Sequence, residues 1–166
     1  MKEIIITSME KISPTHQNQH SDYEFYKHSV TDSREKYQVS SPKEGNLVVA
    51  AFYTLPPGKS NYPFHYHTTN EEVFYVISGN GILETADKNY EIKAGDIMVF
   101  PVGEKGAHKI TNSSETENLV YLDVDTNNTP DIAYYPRSNK LGIRAAGGIR
   151  DNYKLDSKVS YYDGEL

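Results

Sequence analysis

Short runs of β-type sequence separated by turn signals fill residues 46–125, and this pattern limits the possible folds more than any other feature of the chain. Seven runs are rich in β-branched and aromatic residues: NLVVAAFYTL, EEVFYVI, GILETA, NYEIK, DIMVFP, HKITN and NLVYLDVD. Turn-forming sequences such as PPGK, SGNG, TADKN and KAGD lie between them. Strands this short at this spacing are typical of a β-barrel or a β-sandwich. We therefore predict an all-β domain.

The segments on either side of this domain have a different composition. A length of 166 residues corresponds to one ordinary globular domain. Residues 1–45 are mostly polar, and we interpret them as an N-terminal arm. Residues 126–166 combine alternating apolar positions with charges and the pair Gly147–Gly148. We expect a C-terminal arm that packs on the barrel, residues 46–125, or on a second subunit.

The charge balance and the missing residue types narrow the range of functions. The chain has 17 basic and 23 acidic residues, a net charge of −6, so nucleic acid and anionic membranes would be repelled at long range. It has no cysteine, so any metal ligands must be nitrogen or oxygen atoms. No apolar run has the length of a signal peptide or a membrane span. We expect a cytoplasmic protein whose partner is a small molecule.

Two histidines separated by one residue precede a pair of glutamates in FHYHTTNEEVFYVI. In a strand, residues i and i+2 share a face with Cα atoms roughly 6.6 Å apart. His65 and His67 can therefore direct both imidazoles to one ion, at about 2.0–2.1 Å if the ion is zinc. Alternation along the next strand lets one of Glu71 and Glu72 face them. His108, at the start of HKITN, is a candidate for a further ligand.

Such a ligand set would suit catalysis. Three neutral imidazoles and one carboxylate would leave a divalent ion with a net charge near +1 and with vacant positions if it prefers six ligands. Vacant positions are what an enzyme metal requires. A His-x-His pair on a strand is also common as a packing or surface feature, so the pair alone does not establish a site.

The spacing of these residues resembles the two sequence motifs of the cupins, a family of small β-barrel proteins. The first motif, Gly, His-x-His, Glu, Gly, is matched by Gly58, His65, His67, Glu72 and Gly79. One extra residue lies between Gly58 and His65. The family spacing between the glutamate and the last glycine selects Glu72 of the two glutamates.

The second cupin motif, Gly, Pro-x-Gly, His, Asn, follows in the expected order. It is matched by Gly95, Pro101, Gly103, His108 and Asn112. Two extra residues lie between Gly103 and His108. Because they fall in a turn, they affect the shape of the loop more than the position of the histidine.

The resemblance implies a fold, a cofactor and an assembly. The fold would be a double-stranded β-helix, a jelly-roll-like cupin barrel, with N- and C-terminal arms. One divalent transition metal ion, Fe, Mn, Ni or Zn, would lie near one mouth of the barrel, held by His65, His67, Glu72 and His108. Cupins often pair through barrel edges, so a homodimer is expected.

Three functions remain open from the sequence, and no catalytic residue is assigned. The first is a metal-dependent enzyme acting on a small organic substrate by dioxygenase-like or Lewis-acid chemistry; flavonol-cleaving cupins also use three histidines and a glutamate. The second is a sugar isomerase or epimerase, which needs a separate base. The third is a non-catalytic module that binds a small molecule.

Other side chains have a predicted place outside the ligand set. The barrel core is expected to contain Phe74, Val76, Ile97, Val99 and Ile110. An interface is the expected location of the tail tyrosines Tyr134, Tyr135, Tyr153, Tyr161 and Tyr162. Glu104 and Lys105 are either acid–base groups at the cavity mouth or plain surface charges.

Overall fold

The computed structural model describes residues 15–16, 35–38 and 47–165, and its regular structure there is almost entirely β-strand. The strands in these residues are β1 (Thr15–His16), β2 (Glu35–Gln38), β3 (Val48–Leu55), β4 (Tyr66–His67), β5 (Glu72–Ser78), β6 (Asn80–Thr85), β7 (Asn89–Lys93), β8 (Ile97–Phe100), β9 (His108–Asn112), β10 (Leu119–Thr126), β11 (Asp131–Tyr135), β12 (Lys140–Ala145) and β13 (Ile149–Lys154). Each of the seven predicted β-type runs contains one of them. The strand that the pattern does not predict in residues 46–125 is β4, which is only two residues long.

The strands form the two facing layers of a double-stranded β-helix. One layer is a six-stranded sheet in the order β1-β2-β3-β10-β5-β8. The other consists of a four-stranded sheet, β13-β12-β11-β4, and a three-stranded sheet, β7-β6-β9. Two single bridges connect these smaller sheets to neighbouring loop residues: Ser60 to Thr111 and His65 to His108. The second bridge lies at the candidate site.

The core lies between the layers, and strand alternation selects its side chains. Phe74, Val76 and Ile110 are almost completely buried, as predicted. The prediction was wrong for Ile97 and Val99, which are 66% and 62% exposed. Strand β8 is the edge of its sheet and pairs only with β5 there. Its inward positions are the alternate ones, Met98 and Phe100.

The tail begins as part of the barrel. Strand β11 pairs with β4, so that Ala133 lies opposite His67. Strands β12 and β13 continue the same sheet as a hairpin, and we call residues 140–154 the C-terminal hairpin. Tyr134 stacks on Tyr66 with ring centroids 5.2 Å apart. Tyr161 and Tyr162 are exposed, and their role in an interface stays a prediction.

The predicted N-terminal arm falls largely outside the described residues. Its two described pieces are β1 and β2, which pair with each other, and β2 also pairs with β3. Helical structure in the described part of the chain is limited to 3-10 turns such as 104–106 and 146–148. None of the described helical segments is long and apolar enough to cross a membrane.

Candidate metal centre

Three neighbouring strands bring the four predicted ligands together. His65 and His67 flank the start and end of β4, Glu72 begins β5, and His108 begins β9. His65 and His108 exchange both backbone hydrogen bonds: the His65 N–H donates to the His108 carbonyl at 3.1 Å and the His108 N–H to the His65 carbonyl at 2.9 Å. This single bridge fixes two imidazoles side by side at the joint between two sheets.

The donor atoms of these residues converge. One donor atom from each of His65, His67 and Glu72 lies within 4.8 Å of the others. The two oxygens of Glu72 are 3.7 Å from Nε2 of His67 and 3.6 Å from Nε2 of His108. All four side chains are buried, with exposed fractions of 7% or less. Glu71 is exposed, in agreement with the predicted alternation.

The other ring nitrogen of each histidine is held by an acceptor. Nδ1 of His65 lies 2.9 Å from the Pro63 carbonyl, and Nδ1 of His108 lies 2.8 Å from the Gly106 carbonyl. A carbonyl only accepts, so Nδ1 carries the proton and donates in both cases. The lone pair is then on Nε2, which faces the centre. Orientation of the ring through Nδ1 is typical of metal-binding histidines.

The acceptor for His67 is Asp131 on β11, which lies outside residues 46–125. Nδ1 of His67 lies 2.5 Å from Oδ2 of Asp131, and Asp131 is almost completely buried. The other carboxylate oxygen, Oδ1, accepts a hydrogen bond of 3.1 Å from the Thr69 backbone N–H. A carboxylate behind a histidine increases the basicity of the imidazole as a ligand.

Gly106 shapes the turn that carries the acceptor for His108. A Cβ added at Gly106 would lie 1.9 Å from the Pro101 carbonyl oxygen, far inside the contact distance. Only glycine therefore allows this turn to close. Aromatic rings then fix the imidazoles: Phe100 stacks on His108 with centroids 3.6 Å apart, and Tyr135 stacks on His65 at 5.6 Å.

Burial keeps two of the histidines neutral. It lowers the pKa of His108 to about 4. Burial, together with the neighbouring His108 and His67, holds the pKa of His65 well below its ordinary value. Neutral imidazole is the form that binds a metal ion. These two predicted ligands are therefore in the form that can bind a metal ion near neutral pH.

The carboxylates reverse this effect at His67. Burial alone would lower its pKa, but the hydrogen bond to Asp131 and the charge of Glu72 raise it above the ordinary value. Burial also raises the pKa of Glu72 to about 7, against the opposing charges of His67 and Arg144. A buried carboxylate among imidazole nitrogens is stabilised when a cation binds there. The donor set thus fits a divalent transition metal ion.

A cavity of about 660 Å³ reaches two of the four predicted ligands, His67 and Glu72. His65 and His108 line a separate, small pocket instead. The rest of the large cavity's lining is mixed: it includes polar side chains, the turn 145–148 and the apolar Leu47, Val49 and Ile149. The polar side chains include Asn70, Asp125, Arg144 and Arg150. The predicted acid–base candidates Glu104 and Lys105 are exposed and do not line this cavity.

Several residues of this site are not predicted from the sequence. Asp131 is 64 positions from His67 in the chain, and its only local signal is an aspartate at the start of the β-type run DIAYYP. Asp125 lies opposite Glu72 in the pairing of β10 with β5 and shares its face. Arg144 and Arg150 lie in the C-terminal hairpin, where the sequence shows no motif.

Comparison with known proteins identifies the fold and its relatives. Residues 51–125 match the family model "Cupin domain". An oxalate decarboxylase from Arthroderma benhamiae is 35% identical over 82 residues, 46% of this chain and 19% of that protein. An oxalate-binding protein from Thermotoga maritima is 37% identical over 70 residues, 42% of this chain and 54% of that protein. The chain thus spans about a fifth of the first relative and about half of the second.

Among solved structures, the fold extends over nearly the whole chain. The sugar phosphate isomerase from Silicibacter pomeroyi superposes with a TM-score of 0.75 and 21% sequence identity, covering 94% of this chain and 96% of that one. At this identity the likeness shows the fold alone. The matched family model and the double-stranded β-helix agree with each other, and residues 51–125 form a cupin domain.

Proposed function

We propose that this protein binds one divalent transition metal ion through His65, His67, Glu72 and His108 and uses it on a small polar substrate. The observation that carries the proposal is the orientation of the three imidazoles. Each Nδ1 is committed to an oxygen acceptor, so three Nε2 atoms and a carboxylate remain for the ion. Such a set suits Fe, Mn, Ni or Zn.

The cavity supports an enzyme or a specific binder rather than a structural metal. His67 and Glu72 of the donor set line a space of about 660 Å³, which is within the usual range for small-molecule sites. A structural zinc site normally has four ligands and no access. When bound, the ion would supply Lewis-acid polarisation of a substrate oxygen, or redox chemistry with dioxygen.

The polar groups of the lining favour one of these chemistries. Leu47 and Ile149 also line the cavity, but Asn70, Asp125 and Arg144 offer charged and hydrogen-bonding groups that a large aromatic ring, as in a flavonol-like molecule, would not pair with. A small oxygen-rich substrate pairs better with these groups. Two of the relatives are named for oxalate, and a small organic acid of that kind fits this lining. We therefore favour Lewis-acid chemistry over aromatic ring cleavage.

The protein's own residues would position rather than react. The stacked rings of Phe100 and Tyr135 hold the imidazole planes, and Asp131 holds His67 through its Nδ1 proton. Because His67 and Glu72 are buried but line the cavity, water can reach them through it. Substrate that fills the cavity would therefore displace that water and meet the ion directly.

Elemental analysis tests the metal site. The protein should be purified without added metal and without a histidine tag, beside the variants His65→Ala and His108→Ala. We expect near-stoichiometric metal in the parent and its loss in both variants. His28→Ala, outside both motifs, is the matched control and should keep the metal. Equal metal content in parent and site variants, or a folded parent free of metal, would overturn the proposal.

A second candidate is isomerisation or epimerisation of a sugar, because the cavity holds a carboxylate beside the ligands. Asp125 is directly across from Glu72 on β10 and lines the cavity, so it is positioned to move a proton next to a polarised carbonyl. Exchange of substrate C–H hydrogens in deuterated water, followed by NMR over a panel of aldoses and ketoses, tests this. Exchange that Asp125→Asn abolishes while metal is retained would favour isomerisation.

A third candidate is a binding module without turnover, and it differs from the enzymes in one measurable respect. A module would bind a member of a substrate panel with the same affinity before and after long incubation and release it unchanged. Comparison of metal-loaded and metal-free protein over a panel of small organic acids and sugars separates the two. Product formed only by metal-loaded protein would exclude a module.

A further inference from the structure

Two arginines face each other across the C-terminal hairpin. Arg144 on β12 is directly opposite Arg150 on β13, and its other neighbour in register is Asp131 on β11. Directly opposite residues project from the same face of a sheet. Like charges in such a pair destabilise it unless an anion lies between them. This hairpin therefore carries a feature that the fold itself does not explain.

Asp131, the carboxylate directly opposite Arg144 on β11, does not neutralise the arginine pair. Both oxygens of Asp131 are used by other donors, Nδ1 of His67 and the Thr69 N–H. Among residues 47–165, neither Arg144 nor Arg150 makes an ion pair. Arg137 in the same chain segment, by contrast, pairs with Glu84 at 2.7 Å. Two positive charges thus stay available in a protein of net charge −6.

The pair is placed at the candidate centre. Arg144 and Arg150 line the same cavity as His67 and Glu72. Arg144 is also adjacent in register to Asp131, and Asp131 holds His67 through Nδ1, so the pair lies beside the donor set.

The turn between the two strands leaves room beside the pair. Residues 145–148, two alanines and two glycines, line the cavity between Arg144 and Arg150. Gly147 and Gly148 have φ values of 79° and 84°, a region that other residues rarely adopt. A Cβ added at either would meet nothing within 4 Å. The space beside this turn is therefore open to a ligand.

We propose that Arg144 and Arg150 form an oxyanion-binding site that holds the carboxylate or phosphate group of the ligand while the rest of the molecule reaches the donor set. Guanidinium groups bind both kinds of oxyanion through paired hydrogen bonds. The contact with the donor set rests on the proposed function; the oxyanion contact does not. The site lies in the C-terminal hairpin, outside residues 51–125 that match the family model.

Calorimetric titration with two probes tests the site. Malonate represents a carboxylate ligand and inorganic phosphate a phosphate ligand, each added to metal-loaded and to metal-free protein at low ionic strength. We expect the parent to bind at least one probe, with a Kd raised about tenfold or more in Arg144→Gln and in Arg150→Gln. The probe that binds more tightly identifies the preferred group.

Controls separate this proposal from the metal proposal. Arg137→Gln removes an arginine outside the cavity and should leave both Kd values unchanged. Arg144→Lys keeps the charge without the planar fork and should weaken malonate binding less than Arg144→Gln. Both site arginines are exposed, so folding should survive, and circular dichroism verifies this.

The outcomes are distinct for each proposal. Unchanged metal content with weakened anion binding in the arginine variants supports the oxyanion site. A parent protein that contains no metal would contradict the proposed function. Anion binding by that metal-free protein, compared with its arginine variants, would still decide whether the oxyanion site exists. Equal binding by parent and arginine variants, or binding of neither probe by the parent, would overturn the oxyanion site.

Discussion

The barrel segment and the C-terminal hairpin with its preceding strand contribute different parts of one site. Residues 51–125, which match the cupin model, carry all four proposed ligands. Residues 131–154 carry none, but they supply the carboxylate that holds His67, the ring that stacks on His65 and the arginines of the cavity wall. If both proposals hold, metal binding and ligand choice would reside in different stretches of sequence.

This division shows why membership of a family and identity of a substrate are separate questions. The motif residues determine which atoms can hold an ion. The charge and shape around that ion depend on the tail, which the family model does not cover. A change in the hairpin can thus alter the ligand without altering the metal, and the difference can be measured by comparing residues of the same type from the two regions.

The largest expected effect is on how the free energy of unfolding depends on pH, to which His108 and His67 contribute in opposite directions. The pKa of His108 is about 4 in the folded protein, below the ordinary value of about 6.5. Between these values the unfolded chain binds more protons, so His108 makes the metal-free protein lose stability as pH falls from about 6.5 to 4. The full shift corresponds to on the order of 3 kcal/mol. Urea unfolding of chelator-treated protein measures it.

Variants isolate this contribution from other titrating groups. His108→Asn keeps a donor near the Gly106 carbonyl but does not titrate, so its stability should fall less than that of the parent over the same range. His67 has the opposite shift, since Asp131 raises its pKa. It stabilises the fold below about pH 6.5, and this is lost as pH rises through its folded pKa. Parallel curves for parent and His108→Asn would contradict the prediction.

The next effect measures how strongly the tail acts on the barrel's ligand set. Asp131→Asn retains an oxygen acceptor for Nδ1 of His67 but removes the negative charge. We expect metal affinity to fall about 10- to 100-fold, the usual effect of losing a carboxylate behind a metal-binding histidine. Competition with a chromogenic chelator gives the value. Asp151→Asn changes an exposed aspartate on β13 of the same sheet, and an equal effect there would refute a specific role for Asp131.

The two regions also differ in how far their sequence predicts their structure. Strand alternation correctly put Glu71 and Glu72 on opposite faces, because that decision depends on period-two geometry within one strand. The spacing of the cupin motif then selected Glu72, which is the buried one. The same alternation failed for Ile97 and Val99. Strand β8 is apolar on both faces, so alternation does not say which face is buried. The buried face is the one with Met98, which lies opposite Phe74 on β5.

Asp131 and the arginine pair show the other limit of sequence reasoning. The contact of Asp131 with His67 depends on the pairing of β11 with β4. No local sequence pattern predicts that pairing. Arg144 and Arg150 become neighbours only because the turn at 146–148 sets the hairpin register. In the linear sequence, nothing distinguishes these two arginines from ordinary charged surface residues. Long-range register, rather than residue type, gives them a role.

The smallest expected effect concerns the ion pair of Arg137 with Glu84, which joins the two regions. Glu84 on β6 accepts from Arg137, which follows β11, at 2.7 Å and from Lys109 on β9 at 3.1 Å. Burial opposes ionisation, but these two cations hold the pKa of Glu84 below its ordinary value. Its stabilising contribution is therefore present above about pH 4.5 and is lost as pH falls through the folded pKa.

Because the Arg137 side chain is exposed, its ion pair with Glu84 should stabilise the fold only weakly. We expect Arg137→Gln to cost about 0.2–1 kcal/mol at pH 7, less in high salt, and nothing at low pH once Glu84 is protonated. Lys109→Gln provides the matched comparison within the barrel. Urea unfolding at two pH values and two salt concentrations measures both variants. A cost for Arg137→Gln that persists at low pH would mean that its contact with the Phe64 ring, 4.2 Å from the guanidinium carbon, joins the two regions instead.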